Sequence, residues 1–396
     1  MNNYEINTNL GPHLLSEAES FNNDIIEWRR DFHQFPEPAF QEYITSSKIA
    51  KILSSFEGVT VITGYKIPTC VVAVIGEDLP GEALLLRTSI DAISVNEETG
   101  LPFCSCMPGY MHACGHDAHI ASLLAAAKLI SKNRDKLKHR VVLLFQPAAE
   151  SGNGARILIE NDFLKEFNIG HAVYAHWWPE LPYSELAIKK NVCTAISDRI
   201  HIDITGVQGQ AAEPHMTVDP VLISAHVMVA IQTMLTRDVD PRDPVVVSFA
   251  KVEAGDTYNI IPHHANLWGT LRSYNTKTRD FVQSRIEEIA PAIAKAFRGI
   301  ATVEYTRNYD QVENDTEFTN AIIEIANPFF GKDGISILEK PLLTGEDFSF
   351  FTSNIPSTFM LLGTGLEYKL RNQSYDVPES MLPFSAAWEA YMALTL

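Results

Sequence analysis

Hydrophobic positions recur at three- and four-residue steps in some stretches of the chain and run unbroken in others. The alternation of the two predicts an α/β protein. Residues 24–53 carry a helical pattern interrupted at Pro36-Glu37-Pro38. Short Val-, Ile- and Leu-rich runs bounded by turn residues predict buried strands at 59–62, 70–75, 83–87, 140–145 and about 172–175. Ile120, Leu123, Leu124, Ala127 and Ile130 predict a helix reaching about Asn133. Just beyond three of these strands lie Asp91, Glu150 and His176. Polar groups at the ends of buried strands are how such sheets build sites.

After about residue 196 the order becomes strand (199–205), helix (220–236), strand (245–253), strand (265–274), helix (278–297) and strand (301–305). This β-α-β-β-α-β order predicts an inserted ferredoxin-like domain over 197–305. Residues 1–196 and 306–396 then form one domain, closed by a helix at 316–330, a turn at 343–348, a strand at 357–362 and a helix from Pro383. Hinges near 196 and 306 are expected to let the insertion act as a lid. In the helix at 220–236, Val221, Leu222, Ala225, Val229 and Ile231 mark an apolar face that suits a dimer contact or a core contact.

With 396 residues, 46% hydrophobic and 20% charged, the chain has an ordinary soluble balance. Its formal charge of −18 excludes a basic stripe for nucleic acid. Five cysteines without framework spacing suit a reducing compartment. Neither a signal peptide nor an apolar run of membrane-spanning length is evident, so a cytoplasmic protein is expected.

The chemistry concentrates in Met111-His112-Ala113-Cys114-Gly115-His116-Asp117-Ala118-His119, a loop entering the helix that follows. A helix N-terminus favours a thiolate. A thiolate with imidazoles suits zinc, or manganese where carboxylates join. His33, His112 and His119 are read as orienting groups, Trp177 and Trp178 as pocket wall, and Cys104 and Cys106 as neighbours of the loop rather than ligands.

The chain resembles the dinuclear metallopeptidase-like amidohydrolases, the group of N-acyl-amino-acid amidohydrolases, hippurate hydrolases and auxin-conjugate hydrolases. The resemblance rests on Arg30-Asp31-Phe32-His33 through Pro36-Glu37, Ile90-Asp91-Ala92, Gly100-Leu101-Pro102-Phe103, the Cys114 motif, Gln146-Pro147-Ala148, and His176. It continues through Pro214-His215 with Asp219-Pro220, Asn259-Ile260-Ile261-Pro262, Gly269-Thr270-Leu271-Arg272 and Gly345-Glu346-Asp347-Phe348-Ser349. It implies an α/β/α metallopeptidase-like catalytic domain with the ferredoxin-like insertion as lid and homodimer contact. It further implies Cys114, His116 and His176 on one metal, with Cys114, Glu150 and a C-terminal histidine on another. Asn259 and Arg272 would bind a substrate carboxylate, Arg through bidentate geometry.

Three positions depart from that pattern. The general-base carboxylate reads Ala149, the oxyanion histidine reads Gln210, and the C-terminal metal ligand reads Arg371. A guanidinium cannot ligate a metal but pairs with a carboxylate. The expectation is therefore one divalent ion, zinc or manganese, with Arg371 replacing the second. Were Ala149 an introduced change, Gln210 and Arg371 would still need their own explanation. Three readings stay open. One is an altered amidohydrolase for small amino-acid-like carboxylates, with Glu150 or the substrate supplying acid/base chemistry. The second is a non-catalytic binder of a small carboxylate or a protein. The third is condensation, cyclisation or lyase chemistry in the same pocket.

Overall fold

The computed structural model describes residues 7–150 and 153–396. Two compact units emerge: one made of residues 1–193, 313–340 and 350–396, the other of 194–312 with 341–349. The segment 341–349 falls to the second unit although the sequence placed it with the first. Backbone contacts explain this: Ala195 N–H donates to the Thr344 carbonyl, and Thr194 bridges Leu342.

The first unit is built on an eight-stranded mixed sheet. Its spatial order is Val59–Thr63, Val71–Ile75, Val141–Gln146, Ala83–Ser89, Ile169–Trp178, Ser357–Gly363, Leu186–Ile188 and Ile335–Ile337. Val71–Ile75, Ala83–Ser89 and Val141–Gln146 are buried at every position, as strands covered by helices on both faces must be. That burial on both sides is the α/β/α layering. The helices Leu10–Ser20, Asn22–Gln34, His116–Lys132 and Met381–Thr395 pack together over the sheet, joined by Thr316–Phe330.

The strand carrying His176 is longer than its apolar run suggests. It spans Ile169–Trp178 because its register against Ser357–Gly363 continues through Trp177 and Trp178, so His176 lies inside the strand and not beyond it. The polar stretch before residue 24 also hides the helix Leu10–Ser20, whose Leu10, Leu14 and Ala18 reach the core.

The second unit has the order strand Ile196–Thr205, helix Pro220–Arg237, strands Val245–Ala254 and His264–Ser273, helix Thr276–Ala296, strand Ile300–Tyr309. The four strands form an antiparallel sheet with Val245–Ala254 and Ile300–Tyr309 at its edges, the ferredoxin-like arrangement. Along Pro220–Arg237 the buried stripe is Ile223, Val227, Ile231 and Met234. Val221, Leu222 and Val229 are exposed, so only Ile231 of the apolar face read from the sequence is turned inward as a large side chain. By length and composition alone this helix is also apolar enough to cross a membrane. Its one-sided burial against a sheet is that of an amphipathic domain helix.

Candidate active site

Three loops meet at one end of the eight-stranded sheet. The first follows Ala83–Ser89 and carries Asp91, whose Oδ2 accepts from Glu150 N–H at 2.9 Å. The second holds Glu150 under backbone strain: Ala148 has φ 56°, a left-handed conformation that costs a non-glycine residue. It persists because Ala148 N–H donates to the buried Glu42 at 2.9 Å, and Glu42 is itself anchored by Thr69. The third is the Cys114 loop. Gly115, at φ 75°, turns it into His116–Lys132, and a Cβ there would meet Tyr375 at 3.3 Å.

His116 Nδ1–H donates to the Asp91 carbonyl at 2.7 Å, and His176 Nδ1–H to the Trp177 carbonyl at 2.8 Å. A carbonyl only accepts, so Nδ1 is the donor in both rings and Nε2 is the atom left for a ligand. This is the orientation that metal-ligating histidines take. Burial drives the His176 pKa down to about 4, keeping that ring neutral. His119 lies beside them, 5.1 Å from His176 between ring centroids, and accepts from Trp177 N–H.

Burial and then the charge of Glu150 push the Cys114 thiol up, while Arg371 pulls the other way. Desolvation and the adjacent carboxylate thus work against the thiolate that a helix N-terminus favours. Arg371 Nη2 lies 2.7 Å from Glu150 Oε2. Arg371 N–H donates to the Ala113 carbonyl, which pins the arginine loop to the cysteine loop. Burial favours a protonated Glu150, but Arg371 and then His116 outweigh it and hold the carboxyl below its ordinary value.

Among the described residues, no three His, Cys, Asp or Glu side chains converge into a set that closes on an ion as it stands. The predicted set of Cys114, His116, His176 and Glu150 is opened at Glu150. One carboxylate oxygen is taken by Arg371, and the other stands 3.9 Å from His116 Nε2. The donor chemistry of Cys114, His116 and His176 still fits one borderline-soft ion, a thiol with two imidazoles whose Nδ1 atoms are engaged by carbonyls. Arg371, which the resemblance puts in the place of a ligand to a second ion, is a guanidinium without a lone pair.

Sequence reasoning read His33 as an orienting group but missed the rest of the scaffold behind this cluster. Buried Arg29 donates to Asp117 at 2.9 Å and to Asp376 at 2.5 Å, tying the first turn of His116–Lys132 to the segment after Arg371. His33 sits between Asp117 at 2.8 Å and Glu97 at 3.1 Å. Burial lowers its pKa, but the two carboxylates win and raise it to about 9. The signal available was Arg29 and His33, four residues apart on one helix and therefore on one face.

The remaining predicted residues belong to the second unit. Gln210 is exposed on the short strand paired with Ile260–Ile261, and Ala211 N–H donates to the Asn259 carbonyl, so Gln210 and Asn259 are neighbours. Arg272 lies on His264–Ser273, half-buried, paired in register with Val246 and Ser197.

Residues 85–394 match the model of peptidase family M20/M25/M40. The chain belongs to this family. An N-acetyl-L-cysteine deacetylase of Bacillus subtilis is 33% identical over 359 residues, covering 90% of this chain and 84% of its own. A thermostable carboxypeptidase of Saccharolobus solfataricus is 32% identical, with 96% and 97% covered. Among solved structures, a dinuclear metal-binding peptidase of the M20 family from Bacillus subtilis superposes with a TM-score of 0.80 at 30% identity, covering 95% of this chain and 98% of that one. Membership brings divalent-metal chemistry and the cleavage of carbon–nitrogen bonds as the family's common ground.

Proposed function

We propose that this protein is a metal-dependent amidohydrolase acting on the N-acyl bond of a small amino-acid-like carboxylate. The reading is carried by one observation: Cys114, His116 and His176 stand beside Glu150, with Arg371 bound to that carboxylate. Cys114, His116 and His176 would hold one divalent ion, zinc or manganese, which when bound polarises a carbonyl and acidifies water. Glu150 stays ionised and takes the proton that water gives up, a task the methyl group of Ala149 cannot perform. Arg371 supplies the positive charge on the far side of Glu150. Asn259 and Arg272 bind the substrate carboxylate, and Gln210 offers an amide donor to the developing oxyanion. The protein works as a homodimer through the inserted domain, in the cytoplasm, where its five free thiols are stable.

Elemental analysis of the purified protein after metal supplementation, paired with turnover of N-acetyl amino acids, tests this reading. One ion per chain and turnover abolished by Cys114→Ser are expected. Two ions per chain would overturn the assignment of Arg371. Metal-independent binding of the same acids without turnover would favour the binding-protein reading, which the missing carboxylate at Ala149 supports.

A further inference from the structure

Cys104 and Cys106 take no part in the chemistry above, and they are the two exposed cysteines of the five. Two residues apart, their Cα atoms are separated by at most about 7 Å even in a fully extended chain, and any bend brings them into the range a disulfide spans. The segment is bent. Cys106 Sγ is turned back on its own loop, 3.9 Å from the Cys104 carbonyl oxygen, and the Ser105 hydroxyl bridges both backbone groups of Met107 at 3.1 Å. The peptide between the cysteines is wired inward. Ser105 N–H donates to Glu97 at 2.6 Å, Glu97 holds His33, and His33 holds Asp117 in the first turn of His116–Lys132.

We propose that Cys104-Ser105-Cys106 is a reversible redox site whose closure disturbs this chain of hydrogen bonds. The co-reactant is a low-molecular-weight disulfide. One cysteine thiolate attacks it, forming a mixed disulfide and releasing one thiolate. The second cysteine thiolate then attacks the mixed disulfide at its protein-side sulfur, forming the Cys104–Cys106 bond and releasing the other. The protein gives up two electrons and two protons, and the small disulfide becomes two thiols. Closing so small a ring reorients the Ser105 peptide, so its N–H leaves Glu97 and the support of His33 and Asp117 weakens. Exposure allows attack here, whereas buried Cys70, Cys114 and Cys193 are shielded.

The test exposes the full-length protein to glutathione redox buffers. Intact mass and peptide mapping after alkylation report the bond, and hydrogen exchange reports the first turn of His116–Lys132. The expected result is loss of two hydrogens mapped to Cys104 and Cys106, reversed by dithiothreitol. Exchange in that turn should rise about tenfold on oxidation, and not at all in Cys104→Ser or Cys106→Ser. Stable glutathione adducts without ring closure, or thiols left unreacted in oxidising buffer, would overturn the redox site. Ring closure with unchanged exchange would overturn the coupling to Asp117.

Discussion

At the scale of single residues the site turns on a charge exchange. Where a metal-binding histidine and a general base are expected, the chain carries Arg371 and Ala149, and Arg371 is paired to Glu150. Arg371 is 64% exposed against 13% for Glu150, so the pair contributes little to stability and acts by fixing the charge of the carboxylate. Replacing Arg371→His together with Ala149→Glu supplies both missing groups. The double variant is expected to raise kcat/KM on an N-acetyl amino acid, with the new carboxylate serving as a dedicated base beside Glu150, and to bind a second metal ion. Arg371→Ala alone is expected to do the reverse. Without its guanidinium the pKa of Glu150 rises, and the acid limb of the pH–rate profile moves to higher pH. A limb that stays in place would exclude Glu150 as the proton acceptor.

At the scale of elements, the loop that presents Glu150 depends on one glycine. A Cβ at Gly154 would fall 1.9 Å from the Pro147 carbonyl oxygen, a backbone atom with no freedom to retreat. Gly154 N–H also donates to the Ala148 carbonyl, so the same glycine fastens the strained residue before Glu150. Gly154→Ala is therefore expected to cost about 3 kcal/mol or more in chemical unfolding, with loss of turnover preceding loss of fold as denaturant rises. The elements themselves were largely legible in the sequence, since unbroken apolar runs such as Val141–Gln146 and periodic ones such as Thr316–Phe330 carry their own signal. Leu10–Ser20 was not, because its buried stripe is four small or aliphatic residues among polar ones. Nor was the true length of Ile169–Trp178, which hydrogen bonds to a strand from far along the chain decide. Spacing and resemblance pointed to Cys114, His116, His176 and Arg371, and the structure brings Arg371 onto Glu150. Arg29, Asp117 and Glu42 were not readable, because their roles exist only as contacts between segments distant in sequence.

For the whole molecule, the proton balance of its interior predicts how stability depends on pH. Glu389 lies in the apolar packing of Met381–Thr395, and burial raises its pKa to about 8. A carboxyl raised in the fold binds its proton more tightly there than in the unfolded chain, so stability falls as pH climbs from its ordinary value of 4.5 to about 8. His33 acts in the same direction over a higher window. Its stabilisation is complete below 6.5 and is lost as pH rises through about 9. On the acid side His112 opposes both, since burial lowers it to about 3 and folding must keep it neutral while the unfolded chain takes up a proton below 6.5. Denaturant unfolding at a series of pH values should therefore show stability declining steadily between pH 6.5 and 9. Glu389→Gln removes one contribution to that decline. A tenfold difference in proton affinity between the folded and unfolded chain is worth about 1.4 kcal/mol. At pH 8 the variant should accordingly be more stable than wild type by a few kcal/mol, with the difference shrinking toward pH 5. A difference independent of pH would mean that Glu389 is ionised in the fold and has found a partner there.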